Sequence, residues 1–277
     1  MEKSSIRYRK IECKSLLNKS GLSDYAINCY SGCGHGCIYC YARFVTRYTH
    51  PREDWGSFVD IKENAPQVLA RDVKRKPVGN VILSSVCDGW QPIEKDTLLT
   101  RQCLEILLHY RYTVSTLTKN TLAGRDLDIM ADGDVDFGVT VTTLDEKLAG
   151  IIEPGASTPQ ERLDLLQTAK DKGIKTYAFI GPLLPLISDS EENINALLKA
   201  VRDIGVDSFL VDKLNLRYGV WPALTKFLRQ YHPDLMDEYR KIYFDAATKT
   251  AYFEGFRIKV SAVARKLGLD DRMTLCT

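Results

Sequence analysis

No apolar run in this 277-residue chain approaches the ~20 residues that a membrane-spanning helix needs. Glycine is nowhere gathered into a phosphate-binding loop of the P-loop or dinucleotide type, and four histidines offer no placeable Ser-His-Asp arrangement. Those rivals are set aside. Charge of neither sign dominates: 38 Lys and Arg against 36 Asp and Glu leave a net charge of +2, which does not point to a polyanion partner. Basic clusters at Arg7-Tyr8-Arg9-Lys10 and Arg71-Asp72-Val73-Lys74-Arg75-Lys76 read as solvated faces. No signal peptide is legible, no low-complexity segment occurs, and the eight cysteines show no disulfide framework. A chain of this length buries a core without covalent staples, so free thiols in a reducing cytoplasm are expected. Hydrophobic residues at 44% and charged residues at 27% are ordinary for a soluble globular protein.

What the chain does have is Cys33, Cys37 and Cys40, in Gly32-Cys33-Gly34-His35-Gly36-Cys37-Ile38-Tyr39-Cys40. Three thiolates at C-x3-C-x2-C spacing in a glycine-rich loop can reach three corners of one [4Fe–4S] cube. The fourth iron is then open to a substrate or cofactor, whereas four-cysteine clusters usually carry electrons. The competing reading is structural zinc in a non-catalytic nucleic-acid-binding module. Zinc wants four ligands in two paired halves; Cys37 and Cys40 make one pair, His35 could complete a cramped site, and no second half is visible.

From about residue 78 the chain alternates β-branched runs with helical patterns. Strands are expected near 25–29, 81–86, 112–118, 137–142, 174–180 and 206–211, the fifth being broken by Pro182 and Pro185. A helix carries Leu99, Cys103, Ile106 and Tyr110 on one stripe, and another at about 159–172 stops at Gly173. Ser188 with Glu191 three residues on reads as the N-cap of a helix that Gly205 ends. After Asn215 the periodicity is helical to the end. The expected class is α/β, with a parallel sheet of about six βα units, open or a partial barrel. The expected organisation is an N-terminal extension at 1–22, a barrel at 23–215 and helices packed on it at 216–277. Ligands of such folds bind at the carboxyl ends of the strands, where the cysteine loop lies.

Further segments extend the pattern. They are Tyr41-Ala42-Arg43 after the third cysteine, Trp55 to Ala65, Asp88-Gly89-Trp90-Gln91-Pro92-Ile93-Glu94 and Leu99-Thr100-Arg101. Then come Thr118-Lys119, Arg125-Asp126, Thr142-Thr143-Leu144-Asp145, Glu153-Pro154-Gly155-Ala156, Arg162, Pro182-Leu183-Leu184-Pro185 and Asp189. In order and spacing the chain resembles the spore-photoproduct-lyase-like (DNA repair photolyase-like) branch of the radical S-adenosylmethionine superfamily. That resemblance implies a partial (β/α)6 TIM-like barrel, a [4Fe–4S] cluster on Cys33, Cys37 and Cys40, and S-adenosylmethionine chelating the open iron. It also implies a flavodoxin- or ferredoxin-like one-electron reductant, reductive cleavage to a 5′-deoxyadenosyl radical, and hydrogen abstraction from a substrate left unnamed. Tyr39 is similar to the aromatic residue beside the adenine. Ser84 and Ser85 stand where the methionyl amine is held, Thr140 and Thr142 could meet the ribose, and Arg162 resembles the arginine that pairs with the methionyl carboxylate. Lys119 is a polar candidate at a strand end.

Two residues depart from the branch. Cys29 replaces a proline, and Cys87 replaces a threonine before Asp88. Spore photoproduct lyases return hydrogen from a cysteine in this loop, but Ser85 aligns with it and Cys87 lies two residues later. Cys87 is thus a candidate hydrogen donor in the right loop but out of register, and lyase repair of a DNA thymine lesion is an alternative that the near-neutral charge does not favour. Cys103 reads as core, and Cys13, Cys29 and Cys276 show no cluster spacing.

Overall fold

The structure, a computed structural model, describes residues 6–276; the first five residues of the expected extension lie outside the described residues. The strands are β1 (Arg7–Ile11), β2 (Asn18–Lys19), β3 (Tyr25–Ile27), β4 (Tyr30–Ser31), β5 (Phe58–Lys62) and β6 (Asn80–Leu83). They continue with β7 (Thr113–Thr118), β8 (Val135–Val141), β9 (Lys175–Leu183), β10 (Ser208–Lys213) and β11 (Met273–Leu275). Among the described residues they form an eight-stranded sheet in the order β11-β10-β9-β8-β7-β6-β3-β2 and a three-stranded sheet β1-β5-β4. β3 and β6 to β10 are consecutive and parallel, giving the six expected βα strands. This is the α/β partial barrel.

Strand interiors such as Ile27, Leu83, Val114, Phe137, Val139, Ile180 and Val211 meet Leu104, Leu107, Leu166, Leu197 and Val201 from the helices in one buried core. Each such side chain contributes roughly 1.5–3 kcal/mol by leaving water. The helix Pro159–Asp171 opens with Thr158 and Glu161 in a reciprocal capping box. The long helix Ala246–Lys266 puts Phe256, Val260, Val263 and Ala264 into the same core. A second cluster joins the C-terminal helices to the cysteine loop: Leu224, Phe227, Tyr239, Ile242 and Phe253 pack with Cys37 and Tyr39.

Several expectations need correction. Pro182 does not end β9, which runs to Leu183; beyond Ile180 it has left β8 and pairs through a register shift with β10, where a missing N–H is tolerated. The helix Glu191–Ile204 is capped by Ser190, which accepts from Asn193 N, while Ser188 Oγ accepts from Leu184 N at 2.8 Å. β6 stops at Leu83 and not at Val86, because Ser84 takes a left-handed φ of 72°. The tail is not helical to its end: β11 adds a parallel strand beside β10. Arg7-Tyr8-Arg9-Lys10 is part of β1, paired in parallel with β5, and its cations face acids: Arg7 with Glu53, Arg9 with Asp60 and Lys10 with Glu63. Among the described residues no helix is long and apolar enough to cross a membrane.

Candidate functional site

The cysteine loop is a tight crossing between sheet and barrel. Gly32 has φ 87°, and a Cβ there would lie 2.5 Å from the Phe58 carbonyl oxygen, so this residue must be glycine. On the other side Gly155 N donates to His35 O at 3.0 Å and Ile38 N to Ile152 O at 3.0 Å; a Cβ on Gly155 would stand 2.4 Å from Gly34 O. Gln91 closes the remaining edge, accepting from Gly34 N at 2.8 Å and donating to Gly32 O at 3.3 Å. The loop's backbone is thus gripped by neighbouring backbone on two sides and by the Gln91 side chain on a third.

Cys33 and Cys37 are buried and Cys40 is half-buried. Burial pushes all three thiols up, Cys37 to about 12; Asp88, Cys37 and Cys40 add to the shift of Cys33, while Lys119 opposes it at Cys37 and Cys40. Thiols in such surroundings are inert until a metal displaces their protons. Among the described residues no three His, Cys, Asp or Glu side chains converge as they would on one ion. A tetrahedral zinc holds its sulfurs about 4 Å apart, at 2.3 Å from the metal. His35 faces other partners. Its Nδ1 is 3.4 Å from Asp88 Oδ2 and its Nε2 is 3.3 Å from Asn120 Nδ2.

Behind the loop lies a buried polar network centred on Glu153. Its carboxylate accepts from Arg162 Nη2 at 2.5 Å, from Thr142 Oγ1 at 3.1 Å and from the Tyr39 hydroxyl. Burial raises its pKa, but Arg162 and Lys119 outweigh that, and the net shift is downward. Arg162 is almost wholly enclosed and also donates to Thr140 O at 2.9 Å and Ser157 O at 2.8 Å. Lys119 Nζ stands 5.8 Å from the centre of the Tyr39 ring. Burial lowers its pKa, yet Cys37, Glu153 and Asp88 more than restore it. Asp88 fixes the ends of the strands, accepting from Thr118 Oγ1 and Lys119 N at 2.8 Å and from Trp90 N at 2.9 Å.

The residues singled out in the sequence fall into two groups. Tyr39, Thr142, Arg162 and Lys119 surround Glu153, and Thr140 reaches Arg162 through its carbonyl. Ser84, Ser85 and Cys87 line the loop after β6, where Asn28 gathers two of them. Its Nδ2 donates to Ser85 Oγ at 3.1 Å, and its Oδ1 accepts from Val86 N at 2.9 Å and Cys87 Sγ at 3.6 Å. Cys87 packs beside the hydrophobic cluster that contains Cys33, Trp55 and Phe58, and burial raises its thiol to about 12. Cys103 lies fully in the core.

Among the described residues three buried side-chain polar atoms have no partner: Arg43 Nε, Ser84 Oγ and Thr140 Oγ1. Two of these belong to residues expected to hold a cofactor. Unpaired buried hydroxyls are rare because they forfeit hydrogen bonds with water. A three-thiol loop and, in the same barrel, two unsatisfied hydroxyls fit the donor chemistry of a three-cysteine cluster with a polar organic ligand. Sequence reasoning assigned no role to Glu153, Asp88, Gln91 or Asn28. For Glu153, Asp88 and Gln91 the available signal was their place among the quoted segments, since a carboxylate just before Pro154-Gly155 has no local cation and must find one elsewhere; Asn28 lies in none of them.

The profile of the radical SAM superfamily matches residues 27–202. An uncharacterized protein of Methanocaldococcus jannaschii is 38% identical over 192 residues, covering 68% of this chain and 72% of its own. An uncharacterized protein of Mycobacterium tuberculosis is 31% identical over 251 residues, covering 86% of this chain and 74% of its own. A radical SAM Nα-GlyT isomerase of Pseudomonas phage M6 is 21% identical over 253 residues, which are 90% of this chain and 52% of that protein. Among solved structures, a spore photoproduct lyase variant with bound AdoMet and dinucleoside spore photoproduct superposes with a TM-score of 0.70 at 15% identity, over 96% of this chain and 80% of that one. That likeness establishes the shared fold. From the profile match across the barrel and the relatives that span most of its length, the chain belongs to the radical SAM superfamily.

Proposed function

We propose that the chain is a radical S-adenosylmethionine enzyme in which Cys33, Cys37 and Cys40 hold three corners of a [4Fe–4S] cluster. Bound there, cluster and cofactor supply a one-electron reductive cleavage to methionine and a 5′-deoxyadenosyl radical that takes hydrogen from an organic substrate. The observation that carries this reading is the three-thiol loop, tied through Tyr39 to Glu153, on a barrel in which the Ser84 and Thr140 hydroxyls are unpartnered among the described residues. Ser84 and Ser85 would receive the methionyl amine, and Thr140 and Thr142 the ribose. Tyr39, held by Glu153, keeps the loop and its own ring in place. We assign the methionyl carboxylate to Lys119 before Arg162, because Ser157, Thr140 and Glu153 already engage the Arg162 guanidinium. The electron would come from a flavodoxin- or ferredoxin-like donor, and the eight free cysteines suit a reducing compartment.

A narrower reading is repair of a thymine lesion in DNA, with Cys87 returning hydrogen. It draws on the fold shared with spore photoproduct lyase and on burial that keeps Cys87 a thiol, the form able to give a hydrogen atom. The deciding experiment for the main reading is anaerobic reconstitution with iron and sulfide, dithionite reduction with S-adenosylmethionine, and assay of 5′-deoxyadenosine. Its formation is expected; its absence from fully loaded protein refutes the reading. Lesion DNA added to the same mixture tests the narrower reading, and no turnover removes it.

A further inference from the structure

Of the three buried polar atoms without a partner among the described residues, two would be taken up by the proposed cofactor; Arg43 Nε would not. Arg43 lies in the short 3-10 turn Tyr41–Val45 that leaves the cysteine loop. Its Nη2 donates to the Cys37 carbonyl at 3.1 Å, so the guanidinium is tethered to the loop itself. Its stem is confined by the 215–219 segment, where a Cβ on Gly219 would stand 3.2 Å from Arg43 Cβ. Burial weakens the hold of this cation on its proton, and Cys40, Cys37 and then Asp54 oppose that without reversing it. A cation taken from water needs a counter-charge, and a buried donor needs an acceptor. Glu153 already answers Arg162, whereas among the described residues no carboxylate pairs with Arg43, whose guanidinium rests on the Cys37 carbonyl.

We propose that Arg43 is the counter-charge and hydrogen-bond donor of the iron–sulfur cluster, its buried Nε–H meeting a sulfur and its charge favouring the reduced state. This rests on the assignment of Cys33, Cys37 and Cys40 as cluster ligands. Cluster potentials follow net charge, hydrogen bonds to sulfur and exposure, and Arg43 supplies the first two. It acts by making one-electron reduction easier, with no proton moved.

The test is the midpoint potential of the reconstituted full chain, titrated anaerobically without S-adenosylmethionine and read from the electron paramagnetic resonance of the reduced cluster. Arg43→Gln removes the charge and is expected to shift the reduction equilibrium about tenfold toward the oxidised state, ~59 mV for one electron. Arg43→Lys keeps the charge without the planar donor and is expected to shift it about threefold. Arg47→Gln, at an exposed arginine that faces the Tyr48 and Tyr218 rings, is the control and leaves the potential unchanged. A wild-type potential in loaded Arg43→Gln overturns the proposal. A shift there with a wild-type potential in Arg43→Lys upholds the charge and overturns the donor. Should Arg43→Gln fail to load, Arg43→Met takes its place as the charge-removing variant and a wild-type potential in it overturns the proposal, while Arg43→Lys still decides the donor. Wild-type protein that takes up no iron and sulfide defeats the functional reading instead, so the two failures are distinct.

Discussion

Replacing Glu153 by Gln tests the buried network directly. Glu153 offers one oxygen to Tyr39 and Thr142 and the other to Arg162. An amide has a single oxygen, so its NH2 must face either a guanidinium or two hydroxyls, and the Arg162 charge loses its partner. Breaking a buried ion pair from one side costs about 3–5 kcal/mol. For a chain of this size each kcal/mol shifts the melting point by roughly 2–4 °C, so a fall of roughly 10 °C is expected. Replacing both partners, Glu153→Leu with Arg162→Met, should recover most of that loss, because no buried charge is then orphaned. The pH dependence has a definite sign. Burial raises the Glu153 pKa, Arg162 and Lys119 lower it further than that, and the folded value lies below the ordinary one. Its contribution is therefore complete above the unfolded pKa of about 4.3 and is lost as pH falls through the folded value. The difference between wild type and Glu153→Gln should be flat from about pH 8 to 5 and narrow below about 4. Urea denaturation of the metal-free chain, followed by far-ultraviolet circular dichroism, measures it. A cost under about 1 kcal/mol, or a double variant no better than the single ones, would refute the reasoning.

Alanine at Cys33, Cys37 or Cys40 should reduce bound iron from about four per chain to less than about one, by colorimetric iron assay; full loading by any of the three contradicts the ligand assignment. Ser84→Ala and Thr140→Val remove hydroxyls that have no partner among the described residues, so stability should change by less than about 1 kcal/mol while S-adenosylmethionine binds about fivefold more weakly by calorimetry. Unchanged affinity would count against them as cofactor contacts. Gly155→Ala drives a Cβ to 2.4 Å from Gly34 O, so a loss of about 2 kcal/mol and faster iron release to a chelator are expected. Wild-type melting would show that the loop yields freely. Cys87, raised to about 12 by burial, should alkylate with iodoacetamide at pH 8 far more slowly than an exposed cysteine; equal rates would show a thiol open to solvent.

How far the fold was legible depended on how much each element carried its own signal. The strands β3 and β6 to β10 are apolar and β-branched, and the helices between them end at Gly173 and Gly205, so their order could be read locally. β1 could not, since Arg-Tyr-Arg-Lys-Ile is exposed along most of its length and is a strand because β5 lies beside it. β11 spans three residues and depends on β10 in the same way. Pro182 broke a strand on paper and not in the molecule, because the neighbour that would have needed its N–H had already ended.

The site divides along the same line. Spacing alone determined that Cys33, Cys37 and Cys40 share one loop, because thiols within seven residues of each other are brought together by local backbone geometry. The ordered segments that follow determined the family. Tertiary structure alone decided that Glu153 joins Tyr39, 114 residues away, to Arg162, and that Ser84 Oγ, Thr140 Oγ1 and Arg43 Nε are left without partners among the described residues. Whether a buried polar group is satisfied depends on which distant chain segments surround it, and no local pattern of residues records that.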